Sequence, residues 1–258
     1  MELLINHFVL SISGGRMKTK IFLVTFFLLF SFMFGYKYEE KIEKSFNLNK
    51  DAIFKLSNIN GKIILSTHNK NEILIKVVKS ASKKSTLDNL KVNFEYKDNK
   101  LKVYTKKYRG ICNFKVDFFV KLPEQIKYVK LESVNGKIDT MGKFETMNSN
   151  TVNGKIMFEG SFTSTNLKTV NGSINLHVKD DLKGNISAET VNGSVKIEIR
   201  KNSSFIVNAS TINGSIKSDF ETSITRGFVG SRMEGTVNEG KHKINIKTVN
   251  GSIKLFKI

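Results

Sequence analysis

Val170-Asn171-Gly172-Ser173-Ile174 is one of seven copies of a phrase of the form [Val/Ile]-Asn-Gly-[Lys/Ser]-[Ile/Val]. The others begin at Ile59, Val134, Val152, Val191, Ile212 and Val249, and from Val134 to Ile212 successive copies start 18, 18, 21 and 21 residues apart. A near-constant period of this length marks one structural unit stacked on copies of itself. From the phrase the unit runs through Asn175-Leu176-His177-Val178, a polar turn from Lys179 to Gly184, and Asn185-Ile186-Ser187-Ala188-Glu189-Thr190. Apolar residues fall at 174, 176 and 178 and again at 186 and 188. That period of two sends one row of side chains inward from a strand.

Two geometries satisfy the phrase. Asn-Gly between strands is a type I′ hairpin signal, which makes the chain a meander of hairpins. Alternatively, Asn-Gly is the same corner of every coil of a solenoid. The pair then supplies left-handed backbone, and the Asn side chains hydrogen-bond to one another up the stack. Hairpins do not demand equal spacing, so the period selects the second reading. The expected fold is an all-β, single-domain parallel β-solenoid (β-helix-like) with coils of 18–21 residues. The intervals without a copy read as degenerate coils. Ile212 to Val249 spans 37 residues, close to two coils, with Val229-Gly230-Ser231 near its middle; Ile59 to Val134 spans 75, close to four. The Val and Ile of the phrase read as core and its Asn-Gly as corner. No segment after residue 40 keeps a 3.6-residue apolar period, so almost no helix is expected.

Residues 42–130 read as short strands: Ala52–Leu56, Ile63–Leu65, Ile73–Val78, Val92–Tyr96, Leu101–Tyr104, and Phe114–Leu122 broken by Pro123. The polar stretch Lys79–Asn89 reads as an exposed loop. A single cysteine, Cys112, excludes an intrachain disulfide, and its place between Ile111 and Asn113 in a strand-like stretch suits a small buried hydrophobe. A single proline suits long uninterrupted ladders.

At the N-terminus, Met17-Lys18-Thr19-Lys20 precedes an apolar run from Ile21 to Phe34, then Gly35 and a charged segment. This is a secretory signal pattern, its apolar run shorter than the ~20 residues of a membrane-spanning helix. Met33 sits where signal peptidase wants a small residue, so residues 17–35 are read as either a signal peptide or an uncleaved anchor. Ser13-Gly14-Gly15-Arg16-Met17 resembles a translated ribosome-binding site, so residues 1–16 are read as untranslated and Met17 as the start. Residues 36–258 are then one exported domain, in the periplasm or at the cell surface. The full chain's 42 Lys plus Arg against 23 Asp plus Glu give a net charge of +19. The lysines are scattered along strands, which reads first as solvated strand faces and second as attraction to an anionic partner.

The order of elements resembles the bacterial "putative adhesin" domain of unknown function. The matching passages are Leu56-Ser57-Asn58-Ile59-Asn60-Gly61-Lys62-Ile63, Phe118-Phe119-Val120-Lys121-Leu122-Pro123 leading to Val129–Gly136, and Gly240–Ile246 followed by Lys247–Leu255. The resemblance implies an all-β coil with a right-handed path in an exported or membrane-tethered envelope protein, and brings no catalytic residues with it.

No site chemistry is expected. His7, His68, His177 and His242 lie far apart, without the three or four converging ligands that zinc needs. The carboxylates Asp139, Glu159, Asp219 and Glu221 fall on different coils, and Asp180-Asp181 lies in a turn. No catalytic residue, cofactor or metal is therefore expected. Lys137, Lys155, Lys196, Lys217 and Lys254 recur just after the phrase and are the expected polymer-binding face. The expected function is that of a non-enzymatic envelope protein, adhesin-like or a scaffold. Its expected partners are an anionic polysaccharide, a membrane surface or an envelope protein, and not nucleic acid. Two alternatives stand beside it: a membrane-associated sensory or regulatory partner in the envelope stress response, and a polysaccharide-active enzyme.

Overall fold

A computed structural model of the chain describes Leu23–Val24 and residues 37–48, 51–106, 112–124 and 126–258. The N-terminal part comprises β1 (Leu23–Val24), β2 (Tyr38–Asn47), β3 (Ile53–Asn60), β4 (Ile63–His68), β5 (Glu72–Ala81), a short helix α1 (Lys84–Asn89), β6 (Lys91–Lys97), β7 (Lys100–Lys106) and β8 (Phe114–Pro123). The repeats form β9 (Tyr128–Asn135), β10 (Ile138–Asn153), β11 (Ile156–Asn171), β12 (Ile174–Val178), β13 (Asn185–Asn192), β14 (Val195–Ile199), β15 (Phe205–Asn213) and β16 (Ile216–Ser218). The chain ends with β17 (Ser223–Arg226), β18 (Ser231–Val237), β19 (His242–Asn250) and β20 (Ile253–Lys257).

Every Asn-Gly phrase joins a strand before the corner to a strand after it, and each pairs in parallel with its counterparts in neighbouring copies. Before the corner the order is β7, β3, β9, residues 146–153 of β10, residues 164–171 of β11, β13, β19, β15. After it the order is β8, β4, residues 138–141 of β10, residues 156–160 of β11, β12, β14, β20, β16. A hairpin meander needs antiparallel partners across each phrase, so the parallel stacking rejects it. The strands β10 and β11 run from the second set into the first, bending at Gly142 and Gly160, whose φ values of 139° and 153° favour glycine. The longer coils replace that bend with a loop, as at Lys179–Gly184, where Leu182 is buried. This loop accounts for the change of period from 18 to 21 residues.

Spatial order departs from chain order at both ends. The coil made by β7 and β8 stacks outside the earlier coil of β3 and β4, while the last coil, β19 and β20, inserts between β13–β14 and β15–β16. The intervals expected to hold degenerate coils hold mostly antiparallel strands. Residues 213–248 contain an antiparallel excursion, β17 on β18 and β18 on β15. Between the first two phrases only β7–β8 forms a further coil; β5 pairs antiparallel with β8 and with β2, which precedes the first phrase, and β6 pairs antiparallel with β7.

Inward columns fill the space between the two sets of strands. Ile63, Ile138, Ile156, Ile174, Val195, Ile253 and Ile216 stack in register on successive coils and are buried. The stretch expected as an open loop, Lys79–Asn89, instead finishes β5 and forms α1, which buries Leu87. Cys112 is exposed ahead of β8, not buried in a strand, because the inward row begins only at Phe114. The untranslated segment and export signal expected over residues 1–35 lie, Leu23–Val24 apart, outside the described residues. Among the described residues no helix is long and apolar enough to cross a membrane.

Candidate binding surface

All seven phrase asparagines form one continuous ladder along the corner. Asn135 Nδ2 donates to Asn60 Oδ1 at 2.9 Å. The links Asn153 to Asn135, Asn171 to Asn153, Asn192 to Asn171, Asn250 to Asn192 and Asn213 to Asn250 are each 2.8 Å. Beneath it runs a threonine ladder: Thr151, Thr169, Thr190, Thr248 and Thr211 are buried and donate to the carbonyls of Gly136, Gly154, Gly172, Gly193 and Gly251 at 2.9–3.2 Å. Asn58 occupies this position in the first coil. Its amide donates to Val116 O at 2.8 Å, and its Oδ1 accepts from Thr105 Oγ1 at 2.9 Å.

The corner glycines are needed for a different reason from the one the sequence suggests. Apart from Gly61 (φ 113°), the phrase glycines are not left-handed, and none of the phrase asparagines is. Instead, a Cβ on Gly154 would overlap the carbonyl oxygen of Gly136 in the next coil, and the same holds up the stack. Close approach of backbones therefore selects glycine here.

In five of the seven copies the first residue of the phrase is not core; Ile59 is partly buried against it and Val249 is half-buried. Val134, Val152, Val170 and Val191 are each 40–42 % exposed and Ile212 50 %, forming an aliphatic stripe beside the Asn ladder. The fifth residue is the apolar residue buried in every copy. The alternation that turns Ile186 and Ala188 inward continues to Thr190, so Val191 must point out.

The five expected lysines fall into two columns. Lys137 and Lys155 occupy the fourth phrase position and stack with Lys62, each carbonyl accepting from the next coil's backbone. Lys196, Lys254 and Lys217 lie two residues further along and are register partners on three adjoining coils. Lys137 pairs with Asp139 at 2.8 Å, and Lys196 with Glu198 at 2.6 Å. Lys217 and Lys254 are exposed and have no acidic partner among the described residues. Neighbouring coils are ~4.8 Å apart. Unit charges at that spacing repel by about 1 kcal/mol even in water, so an anion laid along the column relieves it.

Several carboxylates are tied to lysines on the outer faces. A hydrogen bond from Lys196, with a second from His177, holds Glu198 below the usual carboxylate range. Lys179 does the same to Glu159 and Lys130 to Glu132, while the Ser161 hydroxyl lowers Asp180. All four shifts run opposite to those of a general acid working at neutral pH. Among the described residues no group of three His, Cys, Asp or Glu is placed to hold a metal. A hollow of about 260 Å³ at the bend of β10 is lined by Lys143, Phe144, Glu145 and Thr163, with a single carboxylate.

No curated protein matches the chain. Among solved structures it is similar to a "putative cell adhesion protein" from Clostridium sporogenes, at 15% identity and a TM-score of 0.49 over 85% of this chain and 100% of that one. It is also similar to a "putative adhesin" from Bacteroides fragilis, at 13% identity and a TM-score of 0.41 over 83% and 96%. A "putative adhesin" from Parabacteroides merdae matches at 11% identity and a TM-score of 0.31 over 84% and 96%. The family described as Toastrack DUF4097 matches residues 55–256, nearly all of the stacked strands, and the chain belongs to that family.

Proposed function

We propose that the protein is an exported, non-enzymatic, adhesin-like protein of the cell envelope that holds an extended anionic polymer along its stacked outer face. Its coils follow a right-handed path, so that one face is presented repeatedly along the stack. The observation that carries the reading is the Lys196–Lys254–Lys217 column, three cations in register of which two lack an acidic partner among the described residues. A polymer with charges at regular intervals engages such a column by many weak contacts, each adding to the local concentration for the next.

Polygalacturonate is a suitable probe. K217Q/K254Q lowers its affinity roughly tenfold at low salt, a difference that shrinks as salt screens the exposed charges. K137Q, which removes a lysine already paired with Asp139, has a smaller effect. Equal affinity of K217Q/K254Q and the unsubstituted chain overturns the reading.

A further inference from the structure

Among the described residues, the two most exposed large apolar side chains are neighbours. Phe228 is fully exposed and Val229 is 74 % exposed, at the tip of the hairpin formed by β17 and β18. The loop is closed by Gly227 N donating to Gly230 O at 3.0 Å, and Gly230 takes a positive φ of 81° against Thr211 and Ile212. The glycines make the turn, so neither its geometry nor the core calls for Phe and Val at its apex. Arginines stand at the base of the tip. Arg226 pairs with Ser231 and Arg232 with Thr225, which puts the two guanidinium groups on opposite faces of the ribbon. Arg232 meets Glu234 at 3.6 Å, and Arg226 has no acidic partner among the described residues.

We propose that residues 226–232 are a membrane-interface anchor: Phe228 and Val229 insert at the headgroup level of an anionic bilayer while Arg226 and Arg232 pair with lipid phosphates. The tip is convex and only two side chains wide, far below the area of a stable protein–protein interface. Such a wedge suits a fluid surface that closes around it, and an aromatic ring is at home at the membrane–water boundary. Two apolar side chains alone bind a bilayer weakly, and the arginines together with a net charge of +19 supply the second attraction that stable peripheral binding requires. The proposal is independent of the lysine column, which lies on other residues.

The chain contains no Trp, so Phe228→Trp places a single indole at the tip. In the full chain mixed with vesicles of phosphatidylglycerol and phosphatidylcholine, its emission shifts to the blue and is quenched by brominated lipid. Adding R226Q/R232Q raises the lipid needed for half-saturation roughly tenfold to thirtyfold. In the unsubstituted chain, amides of residues 226–231 exchange more slowly when the same vesicles are present. Emission and exchange that stay unchanged at saturating lipid overturn the proposal, even if the chain is held on vesicles by another segment. So does a blue shift that grows with protein concentration without lipid, which identifies a second copy of the chain as the occupant.

Discussion

Gly154 faces the carbonyl oxygen of Gly136 so closely that a methyl group has no room, whereas a methyl on Gly227 meets nothing nearer than 3.5 Å. Gly154→Ala must prise two coils apart and is expected to cost about 2–3 kcal/mol, while Gly227→Ala changes stability by less than ~0.5 kcal/mol. Urea denaturation of the pair checks this; equal losses mean that the corner tolerates separation. Buried hydroxyls give a second contrast. Thr169 Oγ1 donates to Gly154 O at 3.0 Å, but Thr140 Oγ1 is buried with no hydrogen-bond partner. Thr140→Val removes an orphan polar group at nearly constant shape and raises stability by about 1 kcal/mol, while Thr169→Val lowers it by a similar amount. At this scale the Asn ladder was legible, because identical amides at one corner of stacked coils can only face one another. The exposed valines are legible too, because the alternation of Ile186 and Ala188 reaches Thr190 two residues on and turns Val191 outward. The reason for glycine was not, since it lies in the carbonyl of a neighbouring coil.

Strands of either polarity share the same alternation of side chains, and this explains why the long intervals between phrases misled. Val92–Tyr96 alternates as the coil strands do, yet β6 joins no coil and pairs antiparallel with β7, itself a coil strand. Likewise β17 and β18 fill an interval of coil length with a cap. Met233 of β18 is fully buried over Ala209 at the end of the stack. Met233→Asp places a charge there, detaches the cap and bares the edge of β15, a template for pairing with another chain. Sedimentation velocity is expected to show concentration-dependent association of this variant; a monomer at every concentration speaks against a capping role. Outward carboxylates on the coil strands link the same elements to pH. Glu132 on β9 and Glu198 on β14 have folded pKa values depressed chiefly by Lys130 and Lys196. A depressed carboxylate stabilises the fold above its unfolded pKa of ~4.3 and loses that contribution as pH falls through the folded value. E132Q/E198Q therefore flattens the fall of the melting temperature between about pH 5 and pH 3. Parallel profiles for variant and parent reject the assignment.

At the level of the whole molecule, the period of the phrase announces stacking but not the order of the stack. Equal coils with equal corners are interchangeable in register, so nothing in Val249-Asn250-Gly251 says that it will lie between the fifth and sixth phrases. That insertion has a mechanical consequence. In a stack built in chain order, losing the C-terminal coil frays one end. Here β19 and β20 are the partners of β13 and β14 on one side and of β15 and β16 on the other. They also bring Ile244, Ile246, Ile253 and Leu255, all fully buried, into the core. Burial of four such side chains is worth roughly 6–12 kcal/mol, comparable to the ~5–15 kcal/mol that holds a typical domain together. A chain ending at Glu239 should therefore lose amide protection over residues 205–218, which it still contains, as well as along the bared edge of residues 185–199. Hydrogen exchange read by mass spectrometry distinguishes this from simple fraying. If residues 205–218 stay protected in the shortened chain, their coil has slid inward to pair with residues 185–199. The corner phrase would then be enough to seal the stack, and the C-terminal coil would not be its keystone.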